Sequence, residues 1–440
     1  MELSVNQEQF LESCKEARKL ALSFGNPLVV HHYDADGVSS GAIAVGAMRD
    51  AGKKVRSLSL SKLDDSAIEL LSKEKEVIFT DLGGGNKRVN ELADVLIIDH
   101  HETSGIDKLQ INPMLFGIDG SDELSSSGAA YCVFRSRDEL AIVGAVGDMQ
   151  YPLRGMNRWV LEQSVQSGSV RVENELRFYG RYCRMLMHFL QYSDDPYIPM
   201  ISYQEDRVKT LLSDLAIDLK KNDKWRTYSD LSPEEKTRLI SAIAAILISK
   251  NMIKKAEQLI GESYIFPKRK KDETFEANEF STLLNACGRH KKADVGLRVC
   301  LEDEGAFSEA RLILAEHRKM IKEGIVFATG NVQDFGKFKF LDARNRIDES
   351  IIGTVIGMAL VQTWKKPIIG FSSSDNNTVK VSSRTPRHLL EKGLDLGKLM
   401  RLACEEVGGI GGGHRIAAGA TIPKDKINEF LLSVGSNLDG

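Results

Sequence analysis

The residues able to do chemistry fall where apolar runs stop. LVVHHYDADGVSSG, residues 28–41, ends an apolar run in His32, Asp34 and Asp36 before a glycine and two serines. On an extended strand these three stand at i, i+2 and i+4 and share one face, with His31, Tyr33 and Ala35 on the other. Two carboxylates that close repel unless a cation or a proton lies between them. An imidazole beside them suits manganese, iron or zinc better than calcium. Alone, the stretch reads equally well as an acidic turn after a strand. Repetition separates the readings: EVIFTDLGGG carries Asp81, DVLIIDHHET carries Asp99, His100 and His101, and AIVGAVGDMQ carries Asp148.

Four apolar, β-branched runs, each closing on an aspartate and separated by helix-like segments, describe an α/β fold. Its parallel sheet would hold a ligand site beyond the carboxyl ends of the strands. After an N-terminal helix, the spacing predicts strands at 28–33, 54–60, 76–80 and 94–98, with helices at 38–51 and 64–73. Ser126 and Ser127 open a capped helix that leads into a last strand, 139–146, ahead of Asp148. From about 165 to 320 strand-like runs thin out, and RVKTLLSDLAIDL, PEEKTRLISAIAAILISKN and FSEARLILAEHRKMIKEG show helical spacing. Ser232 and Glu235 form a capping box ahead of the second of these. From Gly324 the αβ alternation returns through IVFATG, ESIIGTVIGMALVQTW, PIIGFSS and TVKVSSR to a final helix at 425–434. Three parts are expected: a parallel-sheet metal-binding domain at 1–195, a helical insertion at 196–320 and a smaller α/β domain at 321–440.

Glycines 408, 409, 411, 412 and 413, interrupted only by Ile410, precede His414, Arg415 and a small-residue stretch. Glycines let backbone N–H groups approach an anion closely, and a helix starting just after them would add its positive end. Gly411, Gly412, Gly413 and His414 are therefore candidate substrate-binding residues. Arg384, at the end of TVKVSSR, would suit the same phosphate as a bidentate donor. Lys268, Arg269, Lys270 and Lys271 read as a solvated charge run. Asn285 and Arg289 lie one helical turn apart on a face that could reach phosphate or simply pair on the helix surface.

The 440 residues carry a formal charge of −3, which excludes a globally basic nucleic-acid binder and leaves any polyanion to local patches and metal ions. Six dispersed cysteines form no CxxC pair and favour buried thiols in a reducing compartment. No apolar run approaches the roughly 20 residues of a membrane span, so a cytoplasmic enzyme with no membrane association is expected. Of nine histidines, five fall in the three signature stretches.

In order along the chain, HYDADG, TDLGGG, DHH and GDM resemble the four motifs of the DHH phosphoesterase superfamily. GGGHRIAAG at 411–419 is similar to the phosphate-binding signature of its C-terminal DHH-associated domain. GRYCRMLMHFLQYSDDPYIP, DKWRTYSDLSPEEK and EFSTLLNACGR look like the archaeal RecJ-like branch. The resemblance implies two divalent ions, for which two imidazoles among carboxylates favour Mn2+ over Mg2+. It places one ion on His32, Asp34 and Asp81 and the other on Asp36, Asp81, His100 and Asp148, with Asp81 as the bridge. Asp99 would orient the neighbouring imidazoles, and His101 would contact the scissile phosphate or protonate the leaving oxygen. His32 departs from those bacterial RecJ proteins that use only aspartates in the first motif. His31, on the opposite face, is expected in the core. The implied activity is a single-strand-specific exonuclease of DNA and/or RNA in replication and repair, compatible with association with the GINS complex. Two other readings stay open: a small-substrate phosphodiesterase of the same superfamily, and a non-catalytic replication scaffold.

Overall fold

The run Leu28–His32 forms β1, which takes parallel neighbours on both sides. With β2 (Arg56–Leu60), β3 (Glu76–Thr80), β4 (Asp94–Ile98) and β5 (Leu109–Ile111) it builds an all-parallel sheet in the order β2-β1-β3-β4-β5. The computed structural model describes residues 3–193, 196–359, 365–374 and 377–438. The chain divides into two compact units, residues 1–314 and 315–440.

In the first unit α1 (Val5–Ser23), α2 (Ala35–Asp50), α3 (Asp65–Leu71), α4 (Ser126–Phe134), α5 (Asp138–Gly147) and α6 (Gly155–Gln166) accompany the sheet. Register decides where the chemistry goes. His31 lies opposite Thr80 and Thr80 opposite Ile98, so the residues just beyond, His32, Asp81 and Asp99, stand in a row along the carboxyl edge.

The strand expected at 139–146 is instead the helix α5. Its residues Leu140–Ala145 are all buried, against α2, α4 and α11 (Ala277–Arg289). A helix apolar on every side shows no amphipathic period, and a short apolar run cannot be told from a buried strand by pattern alone. Its glycines allow the approach: a Cβ on Gly144 would lie 2.4 Å from Asp36 Oδ1.

Between β6 (Arg171–Leu176) and β9 (Ile260–Ile265), which pair antiparallel, the chain builds a separate core. It comprises α7 (Leu186–Gln191), α8 (Glu205–Asp214), the hairpin β7 (Lys220–Lys221) with β8 (Lys224–Trp225), α9 (Pro233–Ser249) and α10 (Ile253–Glu257). Phe178, Phe189, Tyr228, Leu239, Ile243 and Leu247 fill it. Ser232 caps α9 in the expected box with Glu235. α11, α12 (Ala293–Cys300) and the first half of α13 (Glu304–Asn331) then rejoin the core of the sheet. Residue 195 lies outside the described residues, and residue 320 falls within α13.

The second unit is a mixed sheet in the order β10-β11-β12-β13-β15-β14, namely Gln333–Asp334, Lys339–Asp342, Ile368–Ser373, Thr378–Arg384, Ala417–Pro423 and Ile410–Gly413. Alternation sends Ile369, Phe371, Val379 and Val381 towards α16 (Leu396–Val407) and α17 (Ile427–Asn437). Leu341 and Ile368 pack in another cluster with α14 (Ile352–Ala359) and the end of α13. The short α15 (Arg387–Leu390) precedes α16. IVFATG closes α13 rather than opening the αβ alternation, and residues 360–364 of the next apolar run lie outside the described residues.

Helix α11 passes so close to the β1–α2 loop that a Cβ on Gly288 would sit 1.9 Å from the Tyr33 carbonyl oxygen. Backbone cannot rotate away from such a contact. Gly288→Ala is therefore expected to destabilise the first unit by about 1–3 kcal/mol, read as a lower denaturant midpoint; an unchanged midpoint would show that α11 and the loop are free to separate.

Candidate metal centre

The first motif leaves the strand earlier than its alternation suggested. β1 stops at His32, Asp34 is the N-cap of α2 with its carboxylate accepting from Gly37 N at 3.0 Å, and Asp36 lies in the helix's first turn. The three side chains therefore do not share one strand face, and they split between two clusters. His32, Asp34 and Asp81 form one, and Asp36, His100 and Asp148 another, with ligand atoms in each within 4.8 Å of one another.

Asp81 faces both. Its Oδ2 is 3.4 Å from His32 Nδ1 and its Oδ1 is 3.3 Å from His100 Nε2. The residue is 3% exposed and sits at φ 63°, a left-handed conformation that aspartate tolerates better than most residues. Asp36 is held from behind by the N-terminus of α4: Ser126 N donates to Oδ2 at 2.8 Å and Ser127 N to Oδ1 at 3.0 Å. Ser125, one residue before the expected start, is the cap.

Asp99 accepts from His100 N at 2.8 Å, from His101 Nδ1 at 2.9 Å and from Gly84 N at 2.9 Å, which gives a glycine of the second motif its purpose. It thus orients the ring of His101, whereas the ring of His100 is held by Gly120, whose carbonyl accepts from Nδ1 at 2.6 Å. His101 is 57% exposed at its side chain. Asp148 caps the end of helix α5 rather than a strand. His31 is buried as expected, and burial pushes its pKa down to about 4.

The electrostatics are those of a crowded acidic site. Burial, then the charge of Asp81, raises the Asp36 pKa to about 7. Burial likewise raises Asp148 to about 6 against the opposing pull of His100. Burial works against charge on His32, yet Asp34 and Asp81 carry its pKa to about 11. Burial also opposes charge on His100, where Asp81, Asp36 and Asp148 win and raise it. Burial raises the Asp81 pKa in turn, but the two imidazoles more than offset this and lower it. Burial of Asp99 is outweighed by its bond to His101, so that its pKa falls while that of His101 rises. His32 Nδ1, Asp81 Oδ1 and His100 Nε2 are buried without an aligned hydrogen bond. Imidazole nitrogens and carboxylate oxygens in this arrangement fit divalent transition-metal ions.

Two residues set aside as ambiguous also meet the centre. Asn285 Oδ1 accepts from Ala35 N at 2.9 Å, fixing the first turn of α2, and Arg289 lies where Tyr33 and Asp34 act on its charge. Arg269 of the charge run donates to Glu139 at 2.6 Å and lies over the Phe280 ring, so it anchors structure.

In the second unit, the glycines lead into a strand and not directly into a helix. β14 and β15 form a hairpin whose turn is closed by His414 N donating to Ala417 O at 2.9 Å. Gly411 faces α16, where a Cβ would meet Met400 O at 2.5 Å, while a Cβ at Gly412 would meet nothing. Gly412 pairs with Gly419 and Gly419 with Ser382, a strip bare of large side chains. Gly413 is at φ 134°. Arg384 ends β13 beside Ala417, with Nη1 donating to Ser383 O at 2.9 Å.

The chain thus joins a parallel sheet with carboxylates and imidazoles at its carboxyl edge to a separate sheet with a glycine-rich hairpin. The DHH-CID domain model matches residues 178–260 and the DHHA1 domain model residues 336–438. An uncharacterised protein of Methanocaldococcus jannaschii is 32% identical over 447 residues, covering 97% of this chain and 96% of that protein. CDC45 from Entamoeba histolytica shares the fold with a TM-score of 0.66 at 13% identity, over 98% of this chain and 99% of that one. RecJ from Thermus thermophilus, solved with Mn2+, gives a TM-score of 0.61 at 16% identity over 98% of this chain. The match takes in 54% of that RecJ, so this chain spans about half its length. The chain belongs to the DHH superfamily, among relatives with the RecJ-like and CDC45-like fold. Among the described residues no helix is long and apolar enough to cross a membrane.

A metal ion entering this centre must displace protons from carboxylates whose pKa values are raised to about 6 and 7. Below that range the protonated carboxyls compete, and above it they are free to ligate while His32, its pKa carried to about 11, still has a proton to give up. Mn2+ affinity is therefore expected to rise with pH through that range, with proton release on binding, followed by calorimetry in buffers of differing ionisation enthalpy. Affinity constant across the range would contradict this charge distribution.

Proposed function

We propose that the protein is a two-metal-dependent, single-strand-specific exonuclease acting on DNA and/or RNA. The observation that carries this reading is Asp81, one oxygen facing His32 and the other facing His100, between two clusters of ligand-type side chains. His32, Asp34 and Asp81 would hold one ion and Asp36, Asp81, His100 and Asp148 the other, Mn2+ ahead of Mg2+. When bound, such a pair supplies a nucleophilic water at neutral pH and neutralises charge on the phosphate.

The chain's own groups divide the remaining work. His101 donates Nδ1–H to Asp99, which raises its pKa and leaves Nε2 outward to contact the scissile phosphate or give a proton to the leaving oxygen. Arg384, Gly411, Gly412, Gly413 and His414 would hold substrate phosphates or sugars on the glycine hairpin. A three-part division remains part of this proposal, with the insertion lying between β6 and β9 instead of at the expected 196–320, as do a cytoplasmic setting, a role in replication or repair and association with the GINS complex. RecJ neighbours solved with manganese support the exonuclease reading, and the presence of every proposed ligand argues against a pure scaffold.

An exonuclease must hold several nucleotides beyond the bond being cut, and single-strand sites span about 4–16 nucleotides with salt-sensitive phosphate contacts. With Mn2+ and end-labelled substrates, catalytic efficiency is expected to climb from a dinucleotide to an oligonucleotide of roughly ten, with the gain shrinking as salt rises and blunt duplex cut poorly. A dinucleotide cleaved as efficiently as the longer strand, independently of salt, would move the assignment to a small-substrate phosphodiesterase.

A further inference from the structure

Behind the Asp36, His100 and Asp148 cluster lies a relay of buried amides that none of the four motifs contains. Gln150, 1% exposed, spends one side-chain N–H on the Gly120 carbonyl at 2.7 Å and the other on Asp148 Oδ2 at 2.9 Å. Both partners only accept, so the orientation of the amide is fixed. Its Oε1 accepts from Asn157 Nδ2 at 2.6 Å. Asn157, also 1% exposed, accepts at Oδ1 from Ser125 N at 3.3 Å. Ser125 caps α4, the helix whose next two amides hold Asp36.

The same Gly120 carbonyl accepts from His100 Nδ1. That bond fixes the histidine as the Nδ1–H tautomer whenever the ring is neutral, so Nε2 faces Asp81 at 3.3 Å and Asp36 at 4.0 Å as a donor atom for an ion. Gly120 can approach only because it lacks a side chain: a Cβ there would lie 2.1 Å from His100 O. Asp36, His100 and Asp148 are thereby all referred to one buried scaffold. The other cluster is held differently, Asp34 by Gly37 N and the start of α2 by Asn285. None of the relay bonds reaches His32 or Asp34.

We propose that Gln150 and Asn157 are positioning residues that build the Asp36–His100–Asp148 ion position independently of the His32–Asp34–Asp81 position. The inference rests on the two-ion reading above and deepens it. A positioning network and a merely structural one differ in what they do to metal binding. Partners of this kind typically change ion affinity by about 10–100-fold. Gln150→Glu keeps the size of the side chain but turns donors towards two acceptors into further acceptors. Asn157→Ala leaves Gln150 in place and removes its support.

The test is Mn2+ uptake by the full chain, by equilibrium dialysis with elemental analysis, alongside electron paramagnetic resonance and thermal unfolding without metal. The wild type is expected to take up two ions with the spectrum of a coupled pair. Gln150→Glu should keep one ion at wild-type affinity and weaken the other about 10–100-fold, with the spectrum of an isolated ion, and Asn157→Ala should weaken the same ion less. Variants that bind both ions as the wild type does, or lose both in step with a fallen unfolding temperature, overturn the positioning role and leave the two-ion reading standing. A wild type that takes up a single ion overturns that reading and the proposal together.

Discussion

Four aspartates within reach of two histidines, two of the carboxylates buried, repel one another strongly unless neutralised. Everything around the centre can be read as the means of holding that charge in place. Parallel register sets His32, Asp81 and Asp99 in a row, the N-terminus of α4 grips Asp36, and Asp99 collects three N–H donors and a histidine ring. Asp81 stands in the middle, turned by a left-handed backbone so that its two oxygens look in opposite directions. Burial keeps those interactions strong, since charges out of water are poorly screened.

Close approach is the second requirement, and it is met by glycine. Gly144 lets α5 lie against Asp36, Gly288 lets α11 lie against the first-motif loop, and Gly120 brings a carbonyl to His100. Those two helices come from distant parts of the chain, before and after the inserted core between β6 and β9. The metal centre is thus closed by α11, a segment that the chain reaches only after completing the insertion.

Much of this was legible in the sequence because strands report their own ends. Apolar runs closing on Asp81 and Asp99 gave the sheet edge directly, and the DHH resemblance supplied the grouping of side chains that the structure brings together. What misled was pattern without amphipathicity: LAIVGA is buried on every side, so its helix looked like a strand, although Asp148 still arrives at the centre from its C-cap. The glycine stretch misled differently, since Gly411 answers to the Met400 carbonyl of α16 and a strand, not a helix, comes directly after His414. Gln150 and Asn157 gave no signal at all, because a buried amide declares itself only through partners far away in the chain.

The central claim is that one carboxylate, Asp81, serves two ions. Anomalous diffraction from crystals of the full chain soaked in Mn2+ tests it most directly. The account requires two peaks about 3.5–4 Å apart, each within coordinating distance of a different Asp81 oxygen. A single peak, or two peaks of which one is ligated without Asp81, would contradict it.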